Sequence, residues 1–318
     1  MALTLHGTVA DNTAVLSRQN AEPFIINGDF VVAQRGTSAD GTSAYLIDRW
    51  KKQAATTGNV AVSQDTDAPT GFINSQKMLA SGASSFFQTG QQIEYKNFYP
   101  LLGKTASLSF YYKSDVDVII RIRTGTSTAD SVVLFAGSVA STATVSPSAD
   151  WVQYVHNFSV ATNVTSLSIE FATGTLANTD FVFLAGVQLE QGTFDANSIA
   201  PFQHESYGDS LLRCQRYFQK FTQPPLIGSA NANNSVARAS IGLFPVQMRT
   251  APTASQSGTF TWFYSNSHQP TSTALAASYT DVDGAEFDIT VSGTGMTATH
   301  PCSVIQNGSG FLQFEAEF

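Results

Sequence analysis

Asp115 and Asp117 stand two residues apart, with Arg121 and Arg123 further along the same run. Cleavage of a glycosidic bond uses two carboxyl groups roughly 5–9.5 Å apart, one of them a proton donor. Residues two apart share a face of a strand, so the spacing permits that chemistry. The two guanidinium groups on the same face favour another reading, a solvated surface whose charges neutralise one another along the strand. Gly208-Asp-Ser-Leu211 spells a hydrolase nucleophile turn, which needs a histidine base with an aspartate three residues before it. Thr297 occupies that place before His300, the last histidine, so the tetrapeptide reads as a helix start. His6, His156, His204, His268 and His300 are scattered, with no His-x-His or His-x3-His pair, and no metal centre is expected. No Gly-rich phosphate cradle with a following Lys-Ser or Lys-Thr occurs, so no nucleotide cofactor is implied. The expectation is a chain without catalytic residues and without cofactors.

Recognition of a sugar makes different demands. An aromatic ring covers the C–H face of the pyranose, while Arg, Lys, Asn and Gln bond its hydroxyls. Tyr111, Lys113, Arg121, Arg123, Trp151, Gln153 and Asn157 meet that description on the polar sides of alternating segments. A wet sheet face carrying strand-favouring aromatics is the plainer account of the same residues. Thr259–Pro270 is the densest aromatic patch, and Trp262, Tyr264, Asn266 and His268 form a second candidate set. The polar loop Asn231–Asn234 is a third, and Trp50 is expected to anchor the core.

These residues must be positioned by strands, because period-two alternation dominates. Leu108, Phe110 and Tyr112 share one face, as do Val116, Val118, Ile120 and Ile122. Val152, Tyr154, His156 and Phe158 make another such row, and so do Leu167, Ile169 and Phe171. The same period places Phe181, Phe183, Val187 and Leu189 together. Turn chemistry separates the runs, as in Gly125–Asp130 and Ser146–Asp150. One segment, Asp209–Phe221, has helical spacing, with Asp209 or Ser210 as cap and Leu211, Cys214, Phe218 and Phe221 as its stripe. The fold class expected is all-β. It comprises an N-terminal arm over 1–22, a jelly-roll β-sandwich over 23–205, a connecting helix over 206–222, and a smaller C-terminal β-sandwich over 223–318.

Composition narrows the function. The chain has 318 residues, and only 13% of them are charged, about half the usual share. A net charge of −8 repels phosphate backbones, which argues against nucleic acid as a partner. Two cysteines, Cys214 and Cys302, cannot build a disulfide framework. No apolar run approaches the length that crosses a bilayer, so membrane insertion is not expected. The first residues lack the basic start and apolar stretch of a secretion signal. A Lys-poor surface rich in Ser, Thr, Gly and Asn nevertheless suits work outside cells. A protein assembled inside a cell and released with a particle satisfies both observations.

Four blocks carry a resemblance: Phe24–Thr37, Tyr45–Trp50, Leu184–Glu190 and Pro201–Phe218. In this order they resemble the tail-fibre or receptor-binding virion proteins of tailed bacteriophages, more weakly onward through Phe244–Thr253 and Phe311–Phe318. Residues 24–200 separately resemble the carbohydrate-binding jelly rolls appended to glycoside hydrolases. The shared elements there are Asn27-Gly28-Asp29-Phe30, Gly103–Phe110, Trp151–Tyr154 and Gly186–Glu190. The resemblance implies a host-attachment subunit, a homotrimer, that contacts host-surface glycan and docks to other tail or capsid proteins through its arm. It also implies a structural calcium, but Leu184-Ala185-Gly186 lacks the carboxylate those modules carry there. Asp29 and Glu190 are left as weak calcium candidates. A structural head-decoration or fibre-adaptor subunit is the alternative, and a glycan-cleaving depolymerase stands behind both.

Overall fold

The computed structural model describes residues 22–39, 42–56, 59–222, 226–230, 236–263, 271–272, 276–290 and 301–318. The chain divides into two compact units between Glu205 and Ser206. No described helix is long and apolar enough to cross a membrane.

Among the described residues, twelve strands build the first unit. They are β1 (Ser38–Ala39), β2 (Ser43–Tyr45), β3 (Lys51–Ala54), β4 (Val60–Asp65), β5 (Ser75–Ala80) and β6 (Phe87–Ile93), then β7 (Thr105–Ser114), β8 (Val118–Gly125), β9 (Ser138–Val145), β10 (Ser148–Ser159), β11 (Ser166–Ala172) and β12 (Phe181–Gln191). A short helix, α1 (Tyr95–Phe98), lies between β6 and β7. Two six-stranded antiparallel sheets result. Sheet one has the order β1-β4-β5-β12-β7-β10, and sheet two β2-β3-β6-β11-β8-β9. From β5 onward the chain passes from sheet to sheet at almost every connection, in the manner of a jelly roll. The alternating apolar residues face inward: Leu108 and Phe110 on β7, Val118, Ile120 and Ile122 on β8, Leu167, Ile169 and Phe171 on β11. Phe110 and Phe171 join the two sheets edge to face at 4.7 Å.

The chain enters this sandwich through a buried knot. Asn27 adopts the left-handed region at φ 57°, and its side chain donates to the carbonyls of Val32 and Asp48 while accepting from Val32 N–H. Trp50 is buried against Phe30 at 4.9 Å, and its Nε1 donates to Asn27 O. Asp48 accepts from Gln34 N–H at 2.7 Å and pairs with Arg35 at 2.9 Å. Val187 N–H donates to Gly28 O at 2.8 Å, and a Cβ on residue 28 would sit 2.0 Å from Val187 O. Only glycine fits there. Three of the four blocks that carry the resemblance therefore meet at the entry to the fold.

The second unit holds α2 (Tyr207–Gln215) and the strands β13 (Phe218–Phe221), β14 (Leu226–Ala230), β15 (Val236–Ile241), β16 (Thr253–Phe263), β17 (Thr271–Ser272), β18 (Ala276–Thr280), β19 (Ala285–Thr290) and β20 (Pro301–Glu315). They form one sheet of order β17-β16-β20-β14-β15-β19-β18, with β13 also paired to β20. Phe244, Phe260, Phe287 and Phe314 are at its core. The helix is shorter than its spacing suggested. Ser206 caps it, accepting from Asp209 N–H at 3.1 Å, and it stops at Gln215. Phe218 and Phe221 leave the helical stripe because Phe218–Phe221 pairs with Leu312–Glu315. Gln219 seals the break by donating to the carbonyls of Gln215 and Val246. Tertiary pairing here overrides local helical pattern.

Candidate functional site

The outward side of sheet one gathers most of the residues singled out above. Gln153 lies opposite Tyr111 in the β10–β7 pairing, Asn157 opposite Ser107, and Trp151 beyond Gln153 toward Lys113. On the other side of β7, Phe183 of β12 lies opposite Lys113, and Ala185 opposite Tyr111. Lys77 of β5 then lies opposite Phe183.

Phe181 and Phe183 are on this outward face, although simple alternation puts them with Val187 and Leu189. The register of β12 against β7 slips between Ala185 and Gln188, where Gly186 takes φ 57°. Such a bulge inserts one extra residue and reverses the faces beyond it. Val182 and Leu184 before the slip, and Val187 and Leu189 after it, all point into the core. The same glycine admits Phe72, which comes from the loop between β4 and β5. A Cβ on residue 186 would meet the Phe72 ring at 2.4 Å, and that ring lies 5.4 Å from Tyr111.

One row crosses the sheet, Lys77, Phe183, Lys113, Trp151, with Asp65 reaching Lys77 diagonally from β4 and Asp67 reaching in from the loop. Lys113 Nζ contacts Asp67 Oδ2 at 2.6 Å, and Trp151 Nε1 donates to Asp67 Oδ1 at 3.0 Å. Lys77 Nζ contacts Asp65 at 3.3 Å. Both ammonium groups sit over Phe183, at 5.1 Å and 5.3 Å from the ring centre. Trp151 and Phe181 meet Phe183 edge-on at 6.0 and 5.6 Å. The hydrogen bonds from Lys113 and Trp151 hold the Asp67 carboxyl below the usual aspartate range. Phe72, Phe181, Tyr111 and Trp151 are each half-buried, so the platform is locked from beneath and open above.

The opposite end of the same face is closed by the chain itself. Ser107 donates to Gly192 O at 2.9 Å, Asn157 to Phe194 O at 2.9 Å, and Gln188 to Ala200 O at 2.8 Å. Gln153 spends its amide on Ser109 Oγ at 3.0 Å. Asn157 is therefore a latch for the segment after β12, and Gln153 braces the sheet.

Arg121 and Arg123 belong elsewhere. They lie on β8, on the outward side of sheet two, and do not join the platform. Alternation reports which residues share a strand face but not which sheet the strand enters. Arg123 is bound to the fully buried Glu170 at 2.7 Å and to Gly137 O at 2.7 Å. Glu170 also accepts from Phe135 N–H, and Gln92 accepts from Val133 N–H. The segment around Val133–Phe135 thus covers the middle of sheet two. Arg121 donates to Gln88 Oε1 at 3.4 Å.

The weak calcium candidates find other surroundings. Asp29 faces His204 Nδ1 at 3.6 Å, and burial raises its carboxyl above the ordinary value. Glu190 lies on the outward side of β12 opposite Ser107. Among the described residues no three His, Cys, Asp or Glu side chains converge as a metal site would require. Gly208–Leu211 occupies the first turn of α2, and Asp209 bonds its own cap, Ser206, at 2.6 Å. Asp115 accepts from Phe181 N–H at 2.7 Å. In the second unit Trp262 is placed in β16 opposite Val304. Tyr264, Asn266, His268, the loop Asn231–Asn234 and the arm through residue 21 lie outside the described residues.

Sequence reasoning missed Phe72, Lys77, Phe181, Phe183 and Asp67. A glycine inside an otherwise regular strand is a bulge signal, and Gly186 carried it for the two phenylalanines. Nothing local marks Phe72 or Asp67, which reach the face from a loop.

No family model matches the chain, and no curated protein matches it. Among solved structures, a CBM4 module is similar at TM-score 0.35 and 16% identity, covering 52% of this chain and 98% of its own. The enzymatically active domain of bacteriophage CBA120 tailspike protein 4 is similar at TM-score 0.39 and 14% identity, over 54% of this chain and 21% of that one. A CBM61 module in complex with β-1,4-galactotriose gives 0.36 and 12%, over 54% and 100%. Likenesses this partial say nothing of what the present chain binds or does.

Proposed function

We propose that the chain is a non-enzymatic virion subunit of a tailed bacteriophage, a tail-fibre or receptor-binding protein that contacts host-surface glycan. The platform of Trp151, Tyr111 and Phe72, packed about the buried Phe183 and edged by Lys113 and Asp67, carries the glycan reading. Half-buried rings offer flat apolar area to sugar C–H groups, and the charged edge offers donors and acceptors to hydroxyls. The virion assignment rests on the resemblance of the four sequence blocks. Asp67 is committed to Lys113 and Trp151, which suits the edge of a binding platform. A homotrimer docked to the particle through its N-terminal arm would present several weak sites together and convert them into firm attachment.

The test is a glycan array followed by adsorption of particles to host cells. Trp151→Ala removes the largest ring of the platform while leaving the core untouched. It is expected to abolish array binding and to slow adsorption, with assembled particles and thermal stability retained. A Trp151→Ala protein that binds glycans as well as the parent would sink the assignment of the site. Release of reducing ends from host polysaccharide by the parent would sink the non-enzymatic part.

A further inference from the structure

Resting on that reading, we infer that the platform selects neutral glycans and rejects acidic ones. Both of its cations already have a carboxylate. Lys113 is bound to Asp67 at 2.6 Å and Lys77 to Asp65 at 3.3 Å, and both ammonium groups are held over Phe183. The row is therefore neutral in sum, with its positive charge spent. The rim adds negative charge: exposed Asp115 lies at the Phe181 end, bound to that residue's N–H. A uronate or sialate arriving here finds both lysines of the row already paired and a carboxylate at the rim, so it loses hydration without recovering it. Sugar hydroxyls fare differently. A carboxylate has about four lone-pair sites, so Asp65 and Asp67 accept O–H groups while keeping their lysines. The rings beside them take the C–H face, which is the same in any neutral pyranose chain.

The experiment titrates the full chain with two sets of probes by calorimetry. One set is cello-, malto- and galacto-oligosaccharides, the other oligogalacturonate and oligosialic acid. The parent is expected to bind members of the neutral set only, with affinity constant within about twofold between low and high salt, because no net charge pairs with the ligand. Asp67→Asn keeps an acceptor for Trp151 Nε1 and releases the Lys113 charge. It is expected to gain about tenfold or more toward the acidic set at low salt, and to lose that gain at high salt. Asp65→Asn does the same for Lys77 and serves as a second variant should the first fold poorly. A parent that prefers the acidic set overturns the inference and leaves glycan binding standing, and so do two folded variants that both still reject acidic chains. Parent and variants that bind neither set overturn the glycan reading itself, and this inference with it.

Discussion

At the scale of single residues, the first unit turns on positions where one atom more would not fit. Gly186 sits at φ 57° with the Phe72 ring where a side chain would be. Gly186→Ala is expected to cost about 1–3 kcal/mol, from left-handed strain and from displacing Phe72. Chemical denaturation reads the loss, and a parallel fall in glycan affinity shows that Phe72 has left Tyr111. A second prediction concerns acidity. Burial lowers the His156 imidazole below its ordinary 6.5. The unfolded chain thus takes up a proton more readily than the folded one, so the stability this residue supports is complete above pH 6.5 and is lost as pH falls from there through the lower folded-state value. Asp29 has the opposite sign, because its raised value makes the folded state the better proton acceptor, and acid relieves it. Denaturant midpoints measured above and below that pH should show a smaller acid loss in His156→Gln than in the parent. An unchanged acid loss in that variant would refute the assignment.

At the scale of elements, alternation made most of the first unit legible. Leu108-Phe110, Ile120-Ile122 and Leu167-Ile169-Phe171 point inward as their spacing demands, because a half-buried strand writes its burial into every second residue. The bulge in β12 was illegible to that rule, since one inserted residue inverts the pattern on one side only. The partition of Tyr111 and Arg121 onto different sheets was illegible too, because pairing partners lie tens of residues away and leave no local mark. The end of α2 was lost for a similar reason: Phe218–Phe221 fits a helix until β20 offers it hydrogen bonds. The start of α2 rests on one hydroxyl. Ser206→Ala removes the acceptor for Asp209 N–H and is expected to destabilise the second unit by about 1 kcal/mol. A thermal melt in which Ser206→Ala matches the parent would show that another group caps the helix.

At the scale of the whole molecule, a −8 chain with two separately cored units must overcome like charge to self-associate. The proposed homotrimer predicts a solution mass near three times 34.0 kDa by light scattering coupled to size exclusion. A stable single-chain mass would favour a decoration or adaptor subunit organised by the particle.

The position of β12 has a consequence for how the protein is made. It is the last strand of the first unit to be synthesised, yet it lies in the interior of sheet one, between β5 and β7. Until it leaves the ribosome, β5 and β7 each lack that neighbour, and Gly28 at the chain's entry waits for Val187. The nascent chain therefore passes through synthesis with two open strand edges and an unsealed core. Such edges invite mispairing with other chains, and pairings so distant in sequence form slowly. Closure of sheet one has to wait for β12, so the yield of intact protein is expected to depend on the tempo of translation and on whatever shields those edges meanwhile.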